Sequence, residues 1–108
     1  MLCEQGEVIY VDFEPHRGHE PAKYRPALVL SASDFNNGAS MTVLCPITSS
    51  DTGYPFHVYI DSGQVVGYAC IEQMRALDLE ARRCKRAGWA DAEGMGRALE
   101  AVGAVFGI

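Results

Sequence analysis

Five short apolar runs, four to seven residues each, constrain this chain more than any other feature. They are residues 8–13 (VIYVDF), 27–31 (ALVLS), 42–47 (TVLCPI), 57–60 (HVYI) and 65–71 (VVGYACI). All are rich in β-branched or aromatic residues, and all are bounded by glycine, proline or small polar residues, so they read as strands. Gly67 marks a kink in the fifth, and Pro46 places the end of the third at a sheet edge or a bulge. The connections are residues 14–24 (EPHRGHEPAKY), 32–40 (ASDFNNGAS, a turn region with room for a short helical turn), 49–55 and the DSGQ turn at 61–64. The first is long and rich in proline and histidine, which suggests function rather than connection. Residues 75–79 (RALDL) suit a further short strand, and residues 81–89 lean to strand. The last segment changes period. Asp91 suits an N-cap with Glu93 in the first turn. Met95, Leu99, Val102 and Phe106 then recur at steps of four, three and four, one face of a helix. Gly94, Gly96 and Gly103 weaken it by ~1 kcal/mol each relative to alanine, so it needs a surface to pack on.

Short strands spaced by turns and closed by one helix predict a mainly β fold, a small, strongly bent antiparallel barrel with a C-terminal helix. The 108 residues suffice for one domain, residues 1–108. No apolar run approaches the ~20 residues that span a bilayer. The start, MLCEQGEV, lacks the pattern of a secretory signal, so the expected location is the cytoplasm, away from any membrane. A net charge of −5 argues against a protein that grips long duplex DNA. The charge is uneven, however. Residues 1–20 sum to −4 and residues 75–86 to +3, a local basic patch suited to a short single-stranded ligand. Cys3, Cys45, Cys70 and Cys84 are widely spaced with no C-x-x-C pair, so reduced thiols are expected and a zinc site is not. Cys45 and Cys70 sit in apolar runs as small core residues.

The strings carry more than the periodicities. In order, they are GEVIYVDFEP (6–15), RGHE (17–20), RPALVLS (25–31), FNN (35–37), PITS (46–49), GYPFHV (53–58), EQMRALD (72–78) and AR (81–82). In this order and spacing the chain resembles the MazF/PemK family of toxin endoribonucleases from type II toxin–antitoxin systems. The resemblance implies an SH3-like barrel, a homodimer and metal-independent, cofactor-free cleavage of single-stranded RNA to 2′,3′-cyclic phosphate and 5′-hydroxyl ends. It also implies a cognate MazE-like antitoxin whose acidic tail covers the RNA groove. Arg25 and Thr48 fall on the family's catalytic positions. His19 and Glu20 fall on loop positions that serve as base or RNA contact. Cys70 stands where some members carry a strand arginine, a role Arg75 would have to take over. Lys23 stands where relatives commonly have glycine.

The chemistry fits these residue types. When its 2′-OH is deprotonated, RNA cleaves itself by attack on the adjacent phosphorus, and negative charge gathers on the phosphate oxygens. The planar fork of Arg25 can hold two of those oxygens, or it can pair with Glu20. The Thr48 hydroxyl can orient a phosphate oxygen, or it can satisfy a strand-end backbone group. His19 titrates near ~6.5 and suits a base, and Glu20 is the alternative. Arg17, Lys23, Glu72, Gln73, Arg75 and Arg82 are candidate RNA contacts. Tyr24 and Phe56 either stack on bases or belong to the core. Arg83, Lys85 and Arg86 either bind phosphate or form a solvated face. His57 reads as a solvent-facing strand residue and His16 as a bystander. The alternative to a nuclease is a CcdB-like binding toxin acting on DNA gyrase, which the intact Arg25 and Thr48 disfavour. A plain adaptor barrel is the third reading.

Overall fold

A computed structural model describes residues 1–13 and 24–108. It contains β1 (Glu7–Asp12), β2 (Tyr24–Val29), α1 (Ser33–Ala39), β3 (Thr42–Thr48), β4 (His57–Asp61), β5 (Val66–Cys70), β6 (Arg75–Leu77), β7 (Cys84–Trp89) and α2 (Ala92–Phe106), with single 3-10 turns at Ile71–Gln73 and Leu79–Ala81. All strand pairs are antiparallel, in the order β4-β5-β3-β2-β1-β7, with β6 added to β3. A bridge between Gly63 and Gly88 brings the β4–β5 turn onto β7, so the sheet curls into a half-barrel. This is the small bent β fold with a C-terminal helix expected from the strand spacing. Among the described residues no helix is long and apolar enough to cross a membrane.

Strand alternation divides the core in two. Val8, Leu28, Cys45, Ile47, Val58, Ile60, Ala69 and Ile71 pack with Ala98, Met95 and Val102 of α2. Ile9, Val11, Phe13, Ala27, Val29, Leu44 and Leu77 pack on the opposite face. Residues i and i+2 thus share a face along β1–β5, whereas the β1–β7 register slips by one residue between Glu7 and Ile9.

Three expectations change, and a fourth, the short helical turn after the second strand, is borne out. Pro46 is neither at a strand end nor at an edge. It is buried inside β3, opposite Ala27 of β2. On its other side β3 pairs with β6 only up to Leu44 and with β5 only from Ile47, so the missing N–H falls in the gap between two partners. The second strand begins at Tyr24 rather than residue 27, which places Arg25 in the sheet. The turn after it holds a seven-residue helix, anchored by Asn36, whose Nδ2 donates to the Cys3 and Ser31 carbonyls. The buried face of α2 is Gly94 and Ala98, flanked by Met95, Ala101 and Val102, while Leu99 and Phe106 are exposed. Small residues set this face because α2 approaches β4 closely. A Cβ on Gly94 would lie 2.8 Å from the Tyr59 carbonyl oxygen.

The basic run also changes meaning. β7 lies beside β1, so Arg86 pairs with the buried Glu7, and Arg83 pairs with Asp12 at 3.3 Å. Arg82 donates to the Asp12 and Phe13 carbonyls. The basic segment thus lies along the acidic first strand, with Arg83 and Arg86 each facing a carboxylate while remaining more than half exposed.

Asp91 caps α2 as expected and also ties it to β4. Its carboxylate accepts the Gly94 N–H at 2.9 Å and the Asp61 N–H at 3.0 Å. These backbone donors, the Asp61 N–H first, hold its pKa below the ordinary aspartate value. A depressed folded-state pKa gives stability that is present above the unfolded value and lost as pH falls through the folded one. Asp91→Ala is expected to cost about 1–2 kcal/mol at pH 7. The difference from wild type should narrow progressively below about pH 3.9, where the unfolded carboxylate protonates. Urea unfolding of both proteins across that range checks it, and a difference that stays constant with pH would contradict it.

Candidate active site

The register of the sheet assembles one cluster. β2 and β3 pair as Ala27 with Pro46 and Leu28 with Cys45. The ladder ends there, and Arg25 and Thr48 each lie two residues beyond its last pair, so strand alternation puts both on the face of Ala27 and Leu44. β3 then passes to β5, with Thr48 opposite Tyr68, and β5 passes to β4, with Cys70 opposite His57. Directly opposed residues share a face. Arg25, Thr48, Cys70 and His57 therefore lie on one side of four consecutive strands, the side away from the Leu28–Ile47–Ala69 core. Glu72, in the turn after β5, joins them.

Arg25 and Thr48 are half-buried, open enough to meet a ligand and held by the sheet. The Arg25 guanidinium carbon lies 5.9 Å from the Phe13 ring centroid, a cation–π contact. The Thr48 oxygen accepts the Ser50 N–H at 3.3 Å, the local role that competes with function, and its hydroxyl proton remains able to donate. Cys70 is 2% exposed. Burial and then the Glu72 charge push its thiol pKa up, while the Arg25 cation and a bond to the Thr48 backbone oppose them. The Cys70 sulfur thus senses Arg25, Thr48 and Glu72 at once.

His57 is the residue that sequence reading misplaced. Its side chain is only 11% exposed, with Nε2 2.9 Å from Glu72 Oε2 and Nδ1 3.1 Å from Thr52 Oγ1. The signal was present. A hairpin centred on the DSGQ turn pairs residue 57 with residue 70, and alternation in HVYI puts His57 opposite in facing to Val58 and Ile60.

The remaining candidates are spread out. Tyr24 stacks on Tyr10, with centroids 5.6 Å apart, and carries the Arg83 guanidinium 3.9 Å above its ring. Phe56 packs against the core beside Tyr54. Gln73 and Arg75 follow Glu72 along the chain and are exposed, whereas Arg82 is held by β1 carbonyls. Arg17, His19, Glu20 and Lys23, with His16, lie outside the described residues. A separate cleft of about 640 Å³ runs between α2 and β4–β5, lined by Phe56, His57, Tyr59, Tyr68, Arg97 and Glu100. Only its His57 end reaches the cluster.

Comparison with known proteins identifies the family and the fold. Residues 4–106 match the family described as PemK-like, MazF-like toxin of type II toxin–antitoxin system. The chain is 36% identical over 85 residues to the endoribonuclease toxin MazF of Escherichia coli K12, covering 79% of this chain and 77% of that protein. It is 38% identical over 102 residues to the endoribonuclease toxin ChpB of the same organism, covering 89% and 87%. Among solved structures, MazF of Deinococcus radiodurans matches with a TM-score of 0.84 and 31% identity, over 100% of this chain and 99% of that one. A MazE–MazF complex of that organism matches at 0.87 and 31%, over 100% and 98%.

Gly67 lets β5 close on the end of β3. A Cβ there would sit 2.6 Å from the Thr48 carbonyl oxygen and 2.8 Å from Ile47 Cγ2. Gly67→Ala is therefore expected to destabilise the fold by about 1–3 kcal/mol and to shift the Thr48 and Cys70 amide resonances more than those of α2. Denaturant unfolding and amide NMR check this. A variant as stable as wild type, with Thr48 unmoved, would contradict the close approach.

Proposed function

The chain belongs to the PemK-like, MazF-like toxin family of type II toxin–antitoxin systems, and we propose that it is an endoribonuclease that cuts single-stranded RNA with Arg25 and Thr48. The observation that carries this reading is that both lie two residues past the last β2–β3 pair, half-buried, on one face and next to the same Cys70 thiol. A guanidinium and a hydroxyl so fixed can grip one phosphodiester from two sides.

The 2′-OH attacks the adjacent phosphorus, and charge builds on the non-bridging oxygens. Arg25 holds those oxygens in a fixed fork and needs no reorganisation as charge develops. Thr48 donates its hydroxyl proton to one of them. Glu72, beside the cluster, and the exposed Gln73 and Arg75 that follow it along the chain serve as contacts for flanking nucleotides. The base is His19 or Glu20, in the segment that joins β1 to β2. The base takes the 2′-OH proton, the P–O5′ bond breaks as the 2′-O–P bond forms, and the 5′-oxygen gains a proton from solvent to leave as a hydroxyl, with a cyclic phosphate remaining. No metal enters these steps.

A toxin of this kind acts in the cytoplasm, on the RNA of its own cell. The MazE–MazF complex supports a cognate antitoxin for this chain too; in this reading its acidic tail occupies the groove that RNA would enter. A homodimer is part of the same reading. Its surface includes the exposed apolar end of α2, where Val105, Phe106 and Ile108 face outward.

Incubating the protein with single-stranded RNA in EDTA tests the assignment. Cleavage to cyclic phosphate and 5′-hydroxyl ends is expected. Arg25→Ala and Thr48→Ala should each slow it by about 10²–10³-fold with unfolding midpoints close to wild type. Two folded variants that cut as fast as wild type would overturn the site.

A further inference from the structure

His57, Cys70 and Glu72 come from two strands and a turn, yet their ligand-type atoms all lie within 4.8 Å of one another. The 2.9 Å approach of His57 Nε2 to Glu72 Oε2 requires something positive between two lone pairs, either a proton or a cation. Thr52 Oγ1 faces Nδ1 on the other side of the ring. If the Nδ1–H donates there, Nε2 presents its lone pair toward Cys70 and Glu72, as second-shell partners of metal-bound histidines arrange it. Cys70 supplies a sulfur, which favours a borderline-soft cation over magnesium or calcium.

We propose that His57, Cys70 and Glu72 form a binding site for one zinc ion, with imidazole, thiolate and carboxylate as ligands and a fourth position for water. Zinc bonds of about 2.0–2.3 Å put tetrahedral ligand atoms about 3.4–3.6 Å apart. To reach that spacing from a 4.8 Å span the cluster closes by about 1.2–1.4 Å at its widest, while the 2.9 Å His57–Glu72 pair opens by about 0.5 Å, both by rotation of the Glu72 side chain, which is 34% exposed and forms the entry side. On binding, the Cys70 thiol gives its proton to solvent. The ion's two charges are then matched by one thiolate and one carboxylate, with Arg25 left as a free cation beside them. Sequence spacing gave no hint of this, because the ligands are 13 and 2 residues apart and only the β4–β5 register brings His57 to Cys70. The site adjoins Arg25 and Thr48 and shares Glu72 with the proposed RNA contacts, but no cleavage step passes through the ion.

Titration of the metal-free protein with cobalt(II), followed by displacement with zinc(II), tests the site. One equivalent of cobalt should give thiolate-to-metal charge-transfer absorption, abolished by zinc. Cys70→Ser should lose that absorption and weaken zinc binding at least about 100-fold, and Thr52→Val should weaken it about tenfold. Cys3→Ser and Cys84→Ser should keep the wild-type spectrum. Should Cys70→Ser fail to fold, Glu72→Gln, at an exposed position, is expected to show the same loss of affinity. An unchanged affinity in Cys70→Ser or Glu72→Gln, or a cobalt spectrum without a thiolate band, overturns the proposal. RNA cleavage in EDTA reads the nuclease separately, so a chain that binds cobalt without cutting RNA keeps this site and loses only the nuclease assignment.

Discussion

β3 is shared by three partners, and the curl of the sheet depends on how it changes hands. Between Leu44, its last residue paired to β6, and Ile47, its first paired to β5, one side of the strand has no ladder. Proline is the residue that loses least there, because it has no N–H to leave unsatisfied. Pro46 keeps β3 extended through the gap while its other side stays opposite Ala27. Two sheet segments that would otherwise be separate become one curled surface. Gly67 completes the joint by letting the β5 backbone approach the Thr48 carbonyl more closely than any side chain would allow. Every residue of the candidate site stands within a few positions of this joint.

The charges follow from the same topology. A basic run in an acidic chain invites a nucleic-acid reading, but β7 folds beside β1, and Arg83 and Arg86 meet Asp12 and Glu7. Arg86 matters most, since Glu7 is 2% exposed and a buried carboxylate without a cation would be costly. Arg25 sits on a different strand, against an aromatic ring and beside a buried thiol. An RNA phosphate there would meet a cation that the sheet holds still. Long-range attraction by the net charge would not help it. Short-range positioning, not steering, is the electrostatic means open to an acidic protein with this site.

The strands were legible because β-branched and aromatic runs bounded by turn residues can do little else. The Asp91 cap was legible for the same local reason. Arg25 and Thr48 could be named through a family likeness, but their mutual placement needed the β2–β3 register. The α2 face was read half correctly: Met95 and Val102 pack on the core, but Leu99 and Phe106 do not, because the periodicity was judged by large apolar residues. The helix buries its smallest ones, Gly94 and Ala98, where backbone meets backbone. Pro46 was misread because a proline in a strand is usually an edge signal, and a handover between partners cannot be seen in one strand alone. His57 was misread for a similar reason. Its partners are Thr52 and Glu72, and exposure of a strand residue is decided by what the next connection places over it.

The His57–Glu72 pair also bears on how the candidate site keeps its shape without a ligand. Arg25 and Thr48 are fixed by ladders, whereas Glu72 lies in a single 3-10 turn of three residues, the weakest element nearby. Three ties restrain that turn: the Ile71 N–H bonded to the Phe56 carbonyl, the Met74 N–H bonded to the Ile71 carbonyl, and the Glu72 carboxylate held to His57. The first and third both run to the start of β4. The turn therefore moves with β4, and β4 is bound through Asp91 to α2. A carboxylate on an otherwise isolated turn thus inherits the rigidity of the helix across the barrel. That is the condition for Glu72 to present a defined oxygen either to a nucleotide or to a metal ion.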